Sequence, residues 1–281
     1  MAATQVNAAS EEPLSTTAIS PTEQVVAKID GAIGWLVFNN PDKRNALSLD
    51  MWQAIPAILD QFEAVPAVRA VVLRGAGERA FTSGADISEF ERLRGTPADQ
   101  ARYNTISETA LTRLQLFPKP TIAMIQGYCM SIGLGIALAC DLRFAGSSAR
   151  FASLAARLSL TYRWSDIKKL VDLIGPARTK DFFYSARHVP ADEALAVGLV
   201  ENVRPDAEIE TFTRAYCARI AENAPLTMTA TKRIVAELIK PSSEIDHDLC
   251  KAIVASCYAS EDYVEGRRAF MEKRQPAFKG K

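Results

Sequence analysis

The order of apolar and polar positions along the chain predicts most of its secondary structure. Two apolar runs on either side of Gly31 predict a β-hairpin over residues 25–39. A helix over about 48–64 follows, since apolar residues recur at helical spacing after Ser48, a residue type that caps helices. The apolar run "RAVVLRG" predicts a short buried strand, and residues 98–117 predict a long helix that ends before "PKP".

A strand, a loop, a helix and a strand come next, in "TIAMIQG", "GYCMSIGLG", "GLGIALAC" and "DLRFAG". Strands and helices alternate up to residue 150 and several strands are wholly apolar, which favours an α/β fold with parallel strands covered on both faces. From "GPARTKDFF" onward the pattern is almost entirely helical. We therefore predict three regions: a flexible tail over residues 1–23, an α/β core over residues 24–205 and a helical region over residues 206–281.

Composition and charge exclude several classes of function. The chain has 281 residues with 33 basic and 33 acidic side chains, so its charge attracts neither nucleic acid nor an anionic membrane. No apolar run approaches the ~18 residues of a membrane span, and the first residues lack the features of a secretory or transit peptide, so we expect a cytoplasmic protein. The 5 cysteines show no CxxC spacing, which predicts reduced packing residues and no metal site.

Two loops could carry chemistry. "AFTSGADISEF" (80–90) and "GYCMSIGLG" (127–135) each place small residues between a strand and a helix start. N–H groups at a helix start have no partner within the helix, and two of them aimed at one point form an oxyanion hole for a thioester enolate. Tight packing without a ligand would explain either loop equally well. "GLGIAL" is a poor dinucleotide fingerprint, because it ends at Leu138 and lacks the acidic residue about 20 positions on.

Several separate motifs resemble those of the crotonase family, the enoyl-CoA hydratase/isomerase superfamily, over about residues 24–281. They are "NNPDKRNALS", "RAFTSGADISEF", "PKPTIAMIQGYCMSIGLGIALACDLRFA", "LIGPARTKDFFYSARHVPADEALAVGLV" and "SEDYVEGRRAFMEKRQPAFKGK". The resemblance implies a crotonase (ClpP/crotonase-like) α/β fold of repeated ββα units with a helical C-terminal trimerisation region. It also implies a homotrimer or hexamer, acyl-CoA substrates, and no cofactor apart from the coenzyme A of the substrate.

The resemblance also assigns site residues. It places the two oxyanion donors at the backbone N–H groups of Ala85 and Ile132. Positions in the "DKRNAL" loop would contact CoA, positions around the "GAD" motif would line the pantetheine and acyl path, and two C-terminal positions would approach the adenine. The candidate substrate- and CoA-binding residues are Lys43, Arg44, Ala46, Gly84, Asp86, Ile87, Ser88, Tyr128, Ser131, Ala155, Arg163, Phe270 and Lys273.

Both glutamates that a hydratase of this family uses are replaced. Aligned through "ALACD", the first falls on Gly135, and in "FASLAARLS" the second falls on Ala155. A positioned acid or base contributes ~10²–10⁴ in rate, so simple addition of water to an enoyl ester is not supported. The remaining oxyanion hole would still contribute ~10²–10³ per donor, which predicts binding of an acyl-CoA and stabilisation of its enolate.

The stretch "SLTYRWSDIKKL" follows the second lost glutamate and would cover the acyl pocket with Tyr162, Arg163 and Asp166. "FASLAARLSLTYRWSDI" also resembles a stretch of methylmalonyl-CoA decarboxylase, a relative with a pocket tyrosine where Tyr162 falls. Three hypotheses follow: decarboxylation of a CoA ester, isomerisation through Tyr162 or Asp166, and acyl-CoA binding without catalysis. Each side chain also has an ordinary explanation, Tyr162 as a packing aromatic and Arg163 with Asp166 as a surface pair.

Overall fold

The computed structural model of the protein describes residues 20–89 and 95–281. Its strands are β1 (Val25–Asp30), β2 (Ile33–Phe38), β3 (Ala70–Gly75), β4 (Ala80–Thr82), β5 (Thr121–Ile125), β6 (Tyr128–Met130), β7 (Leu142–Gly146), β8 (Arg150–Ala152), β9 (Val189–Pro190) and β10 (Asn202–Arg204). Its helices are α1 (Leu49–Ala64), α2 (Pro97–Gln115), α3 (Ile132–Ala139), α4 (Trp164–Ser185), α5 (Ala191–Ala196), α6 (Ile209–Ala221), α7 (Pro225–Leu238), α8 (His247–Tyr258) and α9 (Glu261–Glu272).

The strands form two sheets. The larger has the order β1-β2-β3-β5-β7-β10 and is parallel except for the β1–β2 hairpin. The smaller has the order β4-β6-β8-β9, with β4, β6 and β8 parallel and β9 antiparallel to β8. The predicted α/β class with a mainly parallel sheet is confirmed. The two loops that could carry chemistry follow β4 and β6 of the smaller sheet.

Side chains cover the larger sheet on both faces, which is why its central strands are apolar throughout. On one face, residues such as Leu36, Val71 and Leu73 pack in a core shared with α1, α2 and α3. On the other, Trp35 and Phe144 belong to a second core with residues of α6. Every residue of β5 is buried, as coverage of both faces requires.

Local signals set several element boundaries where the sequence predicts them. The Ser48 hydroxyl accepts the Met51 N–H and caps α1, and the predicted hairpin is present as β1 and β2. The predicted long helix is α2, which starts at Pro97 behind the cap Thr96. After the "GAD" motif only one 3₁₀ turn, Ile87–Glu89, lies in the described range, and the rest of the helix predicted there falls on residues 90–94, outside it.

The helical character of the C-terminal part is confirmed with two corrections. β9 and β10 lie within the stretch that the pattern makes almost entirely helical, because strands of two and three residues are too short to show a period. The helix α4 is also bent: Gly175 has φ 80° and ψ 166°, and Pro176 follows it.

The predictions for the N-terminal tail, the cysteines and membrane-spanning segments compare with the structure as follows. Residues 1–19 of the predicted tail lie outside the described residues, whereas the Ser20 hydroxyl already accepts the Ala27 N–H of β1. All cysteines are free, as predicted. Among the helices in the described ranges, none has the length and apolar character needed to cross a bilayer.

Candidate active site

The loops after β4 and β6 meet because these two strands are parallel neighbours, so their carboxyl ends lie side by side. Gly133, in the first turn of α3, packs so closely on Thr82 that a Cβ there would lie 2.4 Å from Thr82 Cγ2. A Cβ on Gly84 would lie 3.4 Å from the Cβ of Ser131. Small residues therefore allow the two loops to touch.

The residues of the two predicted oxyanion donors, Ala85 and Ile132, line the same cavity. Hydrogen bonds of 2.8 Å from the Leu47 N–H to Gly84 O and from the Asp86 N–H to Leu47 O hold the backbone on either side of Ala85. Ile132 is the first residue of α3, where an N–H has no partner within the helix. Neither N–H donates to a described residue, and both residues line one cavity of about 240 Å³.

The loop before α3 takes up its unusual backbone geometry at Ser131. This residue has φ 50° and ψ −111°, a conformation that glycine adopts far more easily than serine. Ile132 itself is helical, so its β-branched side chain needs no glycine-only geometry. Ser131 is the N-cap residue of α3, yet its side chain makes no capping hydrogen bond, and it too lines the cavity.

Both positions that the resemblance assigns to the hydratase glutamates lie on the cavity wall. Gly135 and Ala155 are lining residues, and a Cβ built on Gly135 meets no atom within 4 Å. The cavity therefore has space where a carboxylate side chain would stand. Its other walls combine apolar side chains, among them Leu111, Leu154 and Leu160, with a few polar groups.

Tyr162 is the most unusual of those polar groups. Its hydroxyl is buried and has no hydrogen-bond partner of acceptable geometry among the described residues, although Ser131 and Ser153 lie beside it. Burial raises the pKa of the phenol, and the nearby hydroxyl groups of Ser153 and Ser131 only partly offset this effect. The ring packs edge-on against Phe183 at a centroid distance of 5.0 Å. A protonated hydroxyl is thus held in the cavity wall.

Arg163 and Asp166 also line the cavity, and they form an ion pair. Arg163 Nε lies 3.1 Å from Asp166 Oδ2. The Asp166 side chain is 9% exposed and that of Arg163 is 31% exposed, so the carboxylate is largely shielded from bulk water. The pair supplies a carboxylate and a cation within the same wall as Tyr162.

The comparison with known families decides the class of protein. A family model described as enoyl-CoA hydratase/isomerase matches residues 28–281. The chain belongs to the enoyl-CoA hydratase/isomerase family. This confirms the resemblance seen in the sequence motifs, and the predicted crotonase fold agrees with the solved structures described next.

Relatives within the family carry different reaction names. The chain is 30% identical over 255 residues to a short-chain-enoyl-CoA hydratase of Clostridium acetobutylicum, covering 89% of this chain and 95% of the relative. It is 31% identical over 251 residues to the methylmalonyl-CoA decarboxylase of Escherichia coli, covering 86% and 93%. Among solved structures, a putative enoyl-CoA hydratase/isomerase family protein from Hyphomonas neptunium superimposes with a TM-score of 0.88 at 33% identity, covering 94% and 100%.

The loop that the family resemblance assigns to CoA is tied to the "GAD" motif. Lys43 Nζ lies 2.7 Å from Asp86 Oδ2 and 2.9 Å from Ser88 Oγ. Burial would raise the pKa of Asp86, but hydrogen bonds from Lys43 and Ser88 outweigh it and hold the pKa below the usual range. The Lys43 side chain is half-exposed, whereas that of Asp86 is buried.

The remaining predicted residues are spread more widely around this family site. The Arg44 guanidinium stacks over the Tyr128 ring at 5.5 Å, and neither residue lines the cavity. Ala46 is buried, whereas Ile87 lines the cavity and is 66% exposed. The two C-terminal candidates lie apart from the cavity lining: Phe270, 82% exposed, lines a groove among α7, α8 and α9, and Lys273 follows α9 in the left-handed region.

Sequence reasoning missed a wall of the cavity formed by α1 and α2. Trp52 Nε1 donates to the Tyr103 hydroxyl at 2.9 Å, and both residues are buried and line the cavity. Ser107 and Leu111 continue the same face of α2 at four-residue intervals from Tyr103. That spacing was the available signal, but it also describes an ordinary core-facing helix stripe.

Proposed function

We propose that the protein converts a CoA thioester by way of its enolate, and that it forms this enolate by loss of CO₂ from a malonyl-type ester. The observation that carries the proposal is the Tyr162 hydroxyl, buried and without a partner of acceptable geometry, in a cavity lined by Ala85 and Ile132. The positions that would hold hydratase carboxylates are Gly135 and Ala155.

Decarboxylation suits this set of groups better than hydration does. When CO₂ leaves, the electrons of the broken carbon–carbon bond enter the thioester, and no base has to remove a proton. The two backbone N–H groups would stabilise the resulting enolate oxygen, worth ~10²–10³ in rate for each donor. Hydration, by contrast, would lack the factor of ~10²–10⁴ in rate that a positioned acid or base contributes.

Tyr162 would serve at both ends of this reaction. Its protonated hydroxyl can hydrogen-bond the carboxylate of the bound ester, and after CO₂ has left it can give its proton to the carbon that carried the carboxylate. The phenolate then regains a proton from water. A phenol whose pKa is raised by burial remains protonated at neutral pH, so its O–H is available to hydrogen-bond the carboxylate, and the strongly basic enolate carbon can still take the proton.

Asp166 supports a second candidate, a double-bond shift within an enoyl-CoA. Its carboxylate lies in the cavity wall and could remove a proton from one carbon and return it to another. The ion pair with Arg163 opposes this role, because the guanidinium already occupies one of the carboxylate oxygens. We therefore place isomerisation second.

Turnover of a panel of CoA thioesters, followed by mass spectrometry, tests the proposal. The panel contains malonyl-type, trans-2-enoyl, 3-enoyl and dienoyl esters, assayed with the wild-type protein and with Tyr162→Phe and Asp166→Asn. Tyr184→Phe is the matched control, because Tyr184 is exposed and does not line the cavity.

We expect loss of CO₂ from a malonyl-type ester, a fall of ~10² or more with Tyr162→Phe, and wild-type rates with Tyr184→Phe. A double-bond shift sensitive to Asp166→Asn would replace decarboxylation by the second candidate. Binding of the esters in calorimetry with no conversion of any of them would indicate a binding protein and overturn both.

A further inference from the structure

We propose that Arg163 selects the substrate: its guanidinium binds the free carboxylate of a dicarboxylic CoA thioester, and Asp166 holds the guanidinium in place for that task. This inference rests on the proposed function and deepens it, since it names the side chain that would distinguish a malonyl-type ester from an uncharged acyl-CoA. The charges of the cavity lining, the hydrogen bonds of Arg163 and the surroundings of its side chain lead to it.

Arg163 is the cationic side chain of the cavity. Among the described residues that line the cavity, only Arg163 and Asp166 carry a charge, and the others are apolar or uncharged polar residues. Pockets for small molecules are mostly apolar, and the few polar or charged groups in them fix which ligand is accepted and how it is oriented. An anionic group on a bound acyl chain would therefore meet one cation in this lining, the Arg163 guanidinium.

The hydrogen bonds of Arg163 leave one edge of its guanidinium unused. Arg163 Nε donates to Asp166 Oδ2 at 3.1 Å, whereas Nη1 and Nη2 donate to no residue in the described part of the chain. A guanidinium presents its N–H groups as a planar fork that matches the two oxygens of a carboxylate. With Nε paired to Asp166, the edge formed by Nη1 and Nη2 is available for a bidentate pair with a ligand.

Arg143, a buried arginine elsewhere in the molecule, shows how a structural guanidinium is satisfied. Its Nη1 donates to Cys140 O at 3.1 Å and its Nη2 donates to Glu201 Oε1. Its Nε donates to Leu199 O at 2.9 Å. Every nitrogen of that guanidinium has a protein partner, as expected of a cation that stabilises the fold. Arg163 has a partner at one nitrogen only, although it lines a cavity.

The surroundings of Arg163 would strengthen a pair with a ligand. Its side chain is 31% exposed, and Leu158 and Leu160 of the preceding segment line the same cavity. A charge pair in such a partly apolar environment is stronger than one at an open surface. The role of Arg163 is compatible with that proposed for Tyr162, because a carboxylate has two oxygens and can accept several hydrogen bonds.

This pair should act on binding more than on the chemical step. When CO₂ leaves, the charge of the carboxylate passes into the thioester, so a contact with the carboxylate is stronger in the bound ester than in the transition state. Such a contact lowers KM and does not raise kcat. Arg163 would thus determine which esters are bound, whereas Ala85, Ile132 and Tyr162 would determine how fast they react.

Two non-reactive esters of similar shape give a test that does not rely on turnover. Sulfoacetyl-CoA carries a sulfonate where malonyl-CoA carries its carboxylate, so it retains the negative charge but cannot lose CO₂. Its neutral counterpart, 3,3-dimethylbutanoyl-CoA, places a tert-butyl group at the same position. Calorimetry with the wild-type protein, Arg163→Gln and Arg163→Lys gives the ratio of the two dissociation constants. Arg157→Gln is the matched control, because Arg157 is exposed and is not among the residues that line the cavity.

We expect the wild-type protein to bind the sulfonate ester about tenfold or more tightly than the neutral ester, the effect of hydrogen bonds to a charged group. Arg163→Gln should abolish this preference by weakening the binding of the sulfonate ester alone. Arg163→Lys should retain part of it, since an ammonium supplies the charge without the planar fork. Arg157→Gln should behave as the wild type does. With a malonyl-type ester that is turned over, Arg163→Gln should raise KM by about tenfold or more without lowering kcat.

Equal weakening of both esters in Arg163→Gln would overturn the inference, since it would indicate a general change in the cavity. A wild-type protein that binds both esters alike, a preference retained in Arg163→Gln, or a fall in kcat with KM unchanged would overturn it as well. Failure of the proposed function gives a different result: the wild-type protein would prefer the sulfonate ester and lose this preference in Arg163→Gln, yet release no CO₂ from any malonyl-type ester.

Discussion

The two walls of the cavity differ in what they are made of. One wall presents backbone N–H groups at Ala85 and Ile132, held by hydrogen bonds and by the contact of Gly133 with Thr82. The other presents side chains, and there the positions of the family's glutamates are Gly135 and Ala155. A backbone donor survives replacement of its side chain, whereas a carboxylate does not. Under the proposed function, the first wall would stabilise the enolate oxygen and the side chains of the second would set the particular reaction.

The strongest test of this difference between the walls is the double variant Gly135→Glu/Ala155→Glu, which places two carboxylates in the side-chain wall. A side chain at position 135 enters open space, so the first glutamate has room. We expect hydration of a trans-2-enoyl-CoA to rise by ~10²–10⁴ over the wild-type rate, the contribution of a positioned acid and base. Addition of water is measured by mass spectrometry.

The control for that experiment is Gly135→Gln/Ala155→Gln, which has nearly the same shape and no carboxylate. Equal hydration rates in the glutamate and glutamine variants would contradict the hypothesis that the site lacks only an acid and a base for hydration.

The backbone wall can be tested by Ala85→Pro, which removes one N–H donor. The neighbouring Gly84 tolerates a following proline more easily than other residues do, and the Ala85 N–H has no described partner to lose. We expect any enolate-dependent turnover to fall by ~10²–10³. Ala85→Gly keeps the N–H and should stay near the wild-type rate. A proline variant that is folded by circular dichroism and fully active would remove Ala85 from the oxyanion hole.

The smallest expected effect concerns the ion pair that steadies the backbone wall. Lys43→Met removes the partner of Asp86, the residue after Ala85. Because Lys43 is half-exposed, we expect a loss of less than about 1 kcal/mol in the free energy of unfolding at neutral pH. Chemical denaturation at several pH values measures this loss.

The pH dependence follows from the direction of the Asp86 shift. The pKa of Asp86 is lowered in the folded protein, so its contribution is present above the unfolded-state pKa and is lost as pH falls through the folded-state pKa. Wild type and Lys43→Met should thus converge in stability under acid conditions. Lys168→Met is the control, because it breaks an exposed ion pair with Asp172 on α4, away from Asp86 in the sequence. A difference that grows toward low pH would contradict this assignment.

The same contrast explains how far the sequence could be interpreted. Ser48 and the spacing after it predicted α1, and the apolar runs predicted the strands of the larger sheet apart from β10, because these features depend on local chemistry. The smaller sheet was harder to predict: its strands have two or three residues, which is too few for a period. Yet it is the pairing of β4 with β6 that brings the two loops together.

Prediction of the site was limited for the same reason: local sequence patterns do not show which distant residues come into contact. The motifs identified Ala85, Ile132 and Tyr162, and the structure lines one cavity with all three. The Trp52–Tyr103 pair and the serines around Tyr162 come together only through packing between elements that are far apart in the chain. The interaction of Arg44 with Tyr128 is another such contact, since a basic loop residue gives no sign of the ring over which it stacks.

The open space beside Gly135 has a consequence for the design of inhibitors. In an enzyme that fills this position with glutamate, a substituent on the carbon next to the thioester would collide with the side chain. Under the proposed function, the open space beside Gly135 would accommodate the same substituent. A branched, non-reactive thioester analogue should for that reason bind this protein more tightly than it binds glutamate-bearing relatives.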